Sequence, residues 1–214
     1  MARWSAIERG LRAQGATLIA GVDEVGRGPL AGPVVACAIV MPHGQRAIAG
    51  VDDSKALSPA ERERLATLIR GRAVALGLGA ASVREIATLN IYQATVLAMR
   101  RALARLRVTP HAVLVDGKQI KTLGIDHRAV VGGDARCYCV ACASIVAKVT
   151  RDRLMSSLGT RHPVYDWANN AGYGTPVHLA ALRAEGLTAH HRELFCRGVA
   201  TGDDGPADAL APRG

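Results

Sequence analysis

The chain is 214 residues long, which suits one domain or one domain with a small appendage, and 49% hydrophobic residues are enough for a sizeable core. Lys and Arg total 27 against 18 acidic residues, a formal charge of +9 that favours a polyanionic partner, while 3% aromatic residues are too few for a face that binds single strands by base stacking. No run of about 20 apolar residues is present to span a membrane, nothing near the N-terminus resembles a signal peptide, and five cysteines, an odd count, read as reduced thiols in a cytoplasmic protein.

Residues 1–17 read as a short helical or frayed lead-in with no functional signal. Residues 19–40, IAGVDEVGRGPLAGPVVACAIV, read as a strand that ends on two adjacent acids, a Gly- and Pro-rich turn, and a second strand from residue 34. After a loop over 43–50 comes VDDSKALS, whose Ser58 caps a helix with Pro59 at its first position and Glu61 in its first turn. Leu65, Leu68, Ile69 and Leu76 form the apolar stripe of that helix, Gly77 is a fitting stop, and 78–83 reads as a short strand.

Asn90 is placed to cap the next helix, where Tyr92, Val96, Met99, Leu103 and Leu106 recur at steps of four and three. Arg100, Arg101, Arg105 and Arg107 fall mostly outside that stripe, on a solvated face. Residues 112–115 form a buried strand ending at Asp116-Gly117, and 129–131 form another ending at Gly132-Gly133-Asp134. A helix over 140–158, stopped by Gly159, and a helix opened by Thr175 and Pro176 complete the regular elements; residues 199–214 look like a disordered tail. Early strands followed by interleaved strands and helices predict an α/β or α+β layered domain.

The chemistry concentrates on acids. Asp23-Glu24, Asp116 and Asp134 each follow apolar residues and adjoin glycines at a strand end. Parallel neighbours would bring such ends together, and gathered carboxylates repel unless cations intervene. Hard oxygen ligands without paired His or Cys favour Mg²⁺ or Mn²⁺ over zinc. Adjacent residues on a strand point to opposite faces, so Asp23 and Asp116 rank as the central ligands, with Glu24 and Asp134 supporting.

Two other patterns are set aside. Gly26-Arg27-Gly28-Pro29-Leu30-Ala31 formally fits a dinucleotide fingerprint, but the prolines and the β-branched run after it indicate a strand where that motif needs a helix. Cys137, Cys139 and Cys142 lack a fourth nearby His or Cys and read as small buried residues, not zinc ligands; His190 and His191 read as exposed.

The segment GVDEVGRGPLAGPVV resembles the N-terminal signature of type 2 ribonuclease H, ribonuclease HII. The resemblance continues in order through VDDSKALS, LNIYQATVLAMRRAL, LVDG, GGD, ASIVAKVTRD and GYGT, and so covers about residues 18–198. It implies a ribonuclease H-like fold, a mixed central sheet flanked by helices, with a helical C-terminal extension after the catalytic core. It implies an endoribonuclease that cuts the RNA strand of RNA–DNA hybrids and nicks 5′ of single ribonucleotides in duplex DNA, leaving 3′-hydroxyl and 5′-phosphate ends, as in ribonucleotide excision repair. Asp23, Glu24, Asp116 and Asp134 match the family's acidic quartet, which holds two divalent ions, Mn²⁺ or Mg²⁺.

Gly26, Arg27 and Gly28 match the loop that senses the 2′-hydroxyl, and Tyr173 matches the tyrosine that packs on the neighbouring sugar. Ser54, Lys55, Ser144 and Lys148 are expected phosphate contacts, with Asp152 positioning Lys148 or pairing with another base. The usual family pattern has lysines where this chain has Ala56 and Gly132, and His-Lys where it has Asn170-Ala171, so weaker phosphate binding is expected. A monomer is expected. The related ribonuclease HIII is the alternative; it carries an extra N-terminal domain, whereas about 17 residues precede the first strand here. A catalytically silent hybrid-binding module is disfavoured because all four acids are present.

Overall fold

The computed structural model describes residues 6–200, and the predicted tail beyond them lies outside the described residues. Five strands form one mixed sheet: β1 (Ile19–Val25), β2 (Val34–Val40), β3 (Ala75–Ala81), β4 (Ala112–Asp116) and β5 (Arg128–Val130), in the order β3-β2-β1-β4-β5. β2 pairs antiparallel with both β1 and β3, while β4 runs parallel to both β1 and β5. The predicted α/β architecture is therefore present, and the parallel half of the sheet is where strand ends gather.

Helices cover both faces. On one, α3 (Val83–Ala104) packs Ala94, Val96, Ala98 and Met99 against Ala20, Val22, Ala36 and Ala38. On the other, α2 (Pro59–Arg72) and α5 (Tyr138–Arg161) pack on Cys37 and Ile39, with Leu65, Ile69, Ile145 and Val149 between them. The alternation along β1 and β2 follows from the two-residue repeat of a strand.

Several boundaries differ from expectation. Ser58 does cap α2, accepting from the Glu61 amide, but the helix ends at Arg72 and Gly77 lies in β3, where a Cβ would come within 2.0 Å of the Ala102 carbonyl on α3. Leu68 is consequently exposed, and Leu76 belongs to the sheet. Gly159 is inside α5 instead of ending it, because the backbone of Ala168 lies against it. Asn90 caps as predicted, its Oδ1 accepting from the Gln93 amide at 3.0 Å, but about two turns of helix precede it, opened by a Ser82–Glu85 capping box. Tyr92 is 44% exposed, because the inward row runs through the small residues Ala94, Ala98 and Ala102. The arginines outside that row are engaged with backbone: Arg100 donates to the Leu123 carbonyl, Arg101 to Ala80 and Arg105 to Leu78.

The lead-in has a structural task the sequence did not announce. Helix α1 (Ala6–Ala13) buries Glu8, whose Oε1 accepts from the Cys139 amide at 3.0 Å in the first turn of α5. A carboxylate at that end satisfies an open N–H and complements the helix dipole.

After α5 the chain forms a single 3₁₀ turn (Pro163–Tyr165), α6 (Trp167–Asn170), α7 (Pro176–Glu185) and α8 (Glu193–Ala200). Tyr165, Trp167, Leu182 and Cys196 pack there with Ala31 and Met155. This is the expected helical extension, and it covers the turn between β1 and β2. All five cysteines are buried thiols. Among the described residues no helix is long and apolar enough to cross a membrane.

Candidate active site

The site forms at the ends of β1 and β4. Their register pairs Val22 with Val115, so the next step along both strands brings Asp23 beside Asp116. Both residues share the parity of Leu114 and Ile19, which pack with Val140 of α5, and therefore face that helix. Glu24 takes the opposite direction, as its adjacency to Asp23 requires. Its Oε1 meets Arg27 Nη1 at 3.4 Å. Asp134 does not terminate a strand. It lies in the first turn of α4 (Gly133–Arg136), because β5 stops at Val130 and the chain turns over through Gly132 in a left-handed conformation.

Asp116 fastens this turn to the sheet, its Oδ1 accepting from the Gly133 amide at 2.6 Å. Asp134 Oδ1 accepts from the Ala135 amide at 2.9 Å. Burial, then the charges of Glu24 and Asp116, push the Asp23 carboxyl well above the ordinary carboxylate range. Burial also raises Glu24 against the opposing pull of Arg27, and burial together with Asp116 and Asp53 raises Asp134. Burial and the neighbouring negative charges thus oppose ionisation of Asp23, Glu24 and Asp134.

The test for a cation rests on Glu24. Its Oε2 is buried with no hydrogen-bond partner among the described residues, and such an acceptor is costly unless something positive faces it. Among the described residues no three His, Cys, Asp or Glu side chains converge on one point at ligand spacing. Donor type, the raised carboxyl groups and the orphaned oxygen together fit a hard divalent cation.

The remaining predicted residues divide. Arg27 and Gly28 are exposed on the β1–β2 turn, and Tyr173 is 47% exposed, its ring beside the position a Gly28 Cβ would occupy, at 3.8 Å. Gly26 is different. It is buried at φ +87°, and a Cβ there would lie 2.1 Å from Arg151 Nε, so its missing side chain makes room for the protein and not for a sugar. Lys55 is exposed and its charge reaches Asp134, while Lys148 Nζ bonds Asp152 Oδ1 at 2.8 Å, the positioning expected of that aspartate. Ser54 is only 4% exposed, and its Oγ lies 2.9 Å from that of Ser144, which also bonds Asp23. Both hydroxyls therefore turn inward behind Asp23, away from a phosphate.

Sequence reasoning missed two buried arginines. Arg151 donates to the carbonyls of Ala31, Pro33 and Ala171, and Arg192 to those of Gly26, Arg27 and Gly32. Burial, then Arg151, pushes Arg192 down to about 9, which leaves it charged at neutral pH. Arg151 had a signal: it continues the inward row Ala143, Ala147, Met155 at steps of four. Arg192 had none. His191 beside it is buried as well, not exposed, and contacts His178 inside the extension.

This mixed sheet, with acids gathered where parallel strands end and helices on both faces, defines a nuclease of the ribonuclease H type. The ribonuclease H2 of Pyrococcus horikoshii superposes with a TM-score of 0.73 at 26% identity, over 87% of this chain and 98% of that one. Residues 20–198 match the sequence profile of ribonuclease HII, and the ribonuclease HII of Granulibacter bethesdensis is 54% identical over 182 residues, 83% of each chain. A structure of Bst-RNase HIII in complex with Mn²⁺ shares the fold at 18% identity, with a TM-score of 0.71 over 89% of this chain and 71% of that one. The chain belongs to the ribonuclease HII family, metal-dependent hydrolases of the ribonuclease H class.

Proposed function

We propose that this chain hydrolyses the RNA strand of RNA–DNA hybrids and also nicks duplex DNA on the 5′ side of a single embedded ribonucleotide, leaving 3′-hydroxyl and 5′-phosphate ends. Residues 18–198 act as one catalytic unit, and the protein works as a monomer. Asp23, Glu24, Asp116 and Asp134 hold two divalent ions, Mn²⁺ or Mg²⁺. The observation that carries this reading is the partnerless buried Glu24 Oε2 beside an Asp23 whose charge is opposed by burial and two further acids. Its bound Mn²⁺ also makes the HIII neighbour consistent with this.

When bound, the ions supply an activated water and a counter-charge for the departing oxygen. The residues of the chain do the rest. Ser144, backed by Ser54, holds Asp23 in its rotamer, and the Gly133 amide holds Asp116. Arg27 and Gly28 offer backbone groups to the ribose 2′-hydroxyl, the one group that separates RNA from DNA at a single position. Tyr173, exposed and flanking Gly28, packs on the adjoining sugar. Lys55, whose charge reaches Asp134, and Lys148, held by Asp152, contact the backbone phosphates.

The test uses an end-labelled DNA duplex with one ribonucleotide, incubated with Mn²⁺ or Mg²⁺ beside an all-DNA control. A single cut 5′ of the ribonucleotide, lost in Asp23→Asn, is the expected result. Tight binding without cutting by the wild type would make the protein a hybrid-binding module instead, and equal cutting of the all-DNA duplex would remove the role given to the 2′-hydroxyl.

A further inference from the structure

Arg192 is 2% exposed, yet no carboxylate is among its hydrogen-bond partners. Its Nε and Nη2 donate to the Gly32 carbonyl at 2.9 and 2.8 Å, its Nη1 to Arg27 at 2.8 Å, and its Nη2 also to Gly26 at 2.5 Å. Burying a guanidinium against neutral acceptors is costly, and a hydrophobic residue would fill the same space without that cost. What the guanidinium does that an apolar residue does not is gather carbonyls from both ends of the β1–β2 turn onto one planar group.

That gathering has a geometric consequence. The peptide bonds here are trans, so the carbonyl and the amide of each peptide point in opposite directions. The Gly26 carbonyl shares its peptide with the Arg27 amide, and the Arg27 carbonyl shares its peptide with the Gly28 amide. Drawing those two carbonyls inward turns the N–H groups of Arg27 and Gly28 outward, on the exposed side beside Tyr173. The same C-terminal segment secures the rest of the turn: the Gly32 amide donates to the His190 carbonyl at 2.9 Å and the Arg192 amide to Leu30 at 2.7 Å. Gly172, next to Tyr173, accepts from the Leu30 amide at 2.8 Å, which ties the turn to the tyrosine loop.

We propose that Arg192 is the positioning residue of ribonucleotide recognition: its bonds to the Gly26, Arg27 and Gly32 carbonyls hold the Arg27 and Gly28 amides outward as donors to the 2′-oxygen. The inference rests on the reading of this turn as the sugar sensor. Arg192 touches no substrate and acts only through the backbone it holds. Sugar selectivity therefore resides partly in the helical extension, 160 or more residues along the chain from the turn it shapes.

The experiment measures Kd for a duplex with one ribonucleotide and for the same duplex with deoxyribose there, with Ca²⁺ present to suppress cutting, and kcat/KM with Mn²⁺. Wild type, Arg192→Lys and Arg192→Ala are compared, each checked by its melting curve, with Arg192→Gln substituting for any variant that does not fold. The ribo/deoxy affinity ratio is expected to fall about tenfold in the folded variants, as for the loss of two directed hydrogen bonds. Tens of millimolar guanidinium should restore much of the ratio in Arg192→Ala, which general loosening of the fold would not allow. A folded variant that keeps the wild-type ratio to within about twofold overturns the proposal. If the wild type itself shows no ratio, it is the sugar-sensor reading that fails, and the two failures are thus told apart.

Discussion

The imidazoles of His178 and His191 meet Nε2 to Nε2 at 3.1 Å inside the helical extension, and their other contacts assign both tautomers. The Thr188 amide donates to His191 Nδ1 at 2.9 Å, so His191 carries its proton on Nε2 and donates it to His178. His178 Nε2 also accepts from Trp167 Nε1 at 3.1 Å, which leaves its Nδ1–H to donate to the Tyr173 carbonyl at 2.8 Å. The bonds accepted at His191 Nδ1 and His178 Nε2 require those nitrogens to be unprotonated, so this network holds both rings neutral.

Acid sensitivity follows. Burial, then His178 and the neighbouring histidines, push His191 down from the ordinary 6.5 to about 4, and burial lowers His178. A folded value below the unfolded one means that the unfolded chain takes up the proton first. The stabilisation is then complete above about pH 6.5 and is lost as pH falls towards 4, roughly 3 kcal/mol in all. Melting followed from pH 7 to 5 should fall more steeply for the wild type than for His191→Asn. Parallel curves would show that the pair does not govern the acid limb.

The acids of the site act in the other direction. Asp23 is held above its ordinary range, so keeping it ionised at pH 7 without a cation costs stability. In EDTA, Asp23→Asn should melt at or above the wild type while cutting nothing. Adding Mn²⁺ should raise the wild-type melting temperature and shift the variant little. A variant less stable than wild type in EDTA would contradict the repulsion described here.

The glycines of the turn should separate cleanly. Gly28→Ala meets nothing closer than Tyr173 Cε1 at 3.8 Å, so stability should change by no more than about 0.5 kcal/mol while cutting falls about a hundredfold, because the new methyl occupies the sugar's approach. Gly26→Ala places a Cβ at 2.1 Å from Arg151 Nε at φ +87° and should cost about 2 kcal/mol or more. Urea denaturation and initial rates on the single-ribonucleotide duplex check both.

Glu8→Ala tests the lead-in helix. Loss of the carboxylate from the start of α5 should cost about 1–2 kcal/mol. The affinity of the folded variant for a duplex should be unchanged. An unaltered denaturation midpoint would reduce α1 to a passive segment.

The sequence by itself determined the acids, their order and their neighbours. Apolar runs ending in Asp23-Glu24 and Asp116 mark strand ends, Ser58-Pro59 and Thr175-Pro176 mark helix starts, and the adjacency of Asp23 and Glu24 already requires opposite directions. These are local rules, and local rules are legible one stretch at a time. Only the tertiary structure decided that Asp134 sits on a short helix, that Ser54 and Ser144 face each other behind Asp23, and that Arg192 and Arg151 grip the turn between β1 and β2. The two arginines find their partners in that turn among backbone carbonyls 118 or more residues away, and backbone groups carry no identity in the sequence. What a carbonyl accepts is settled by which side chain the packed fold brings within 3 Å or so of it, and that is a property of the assembled molecule.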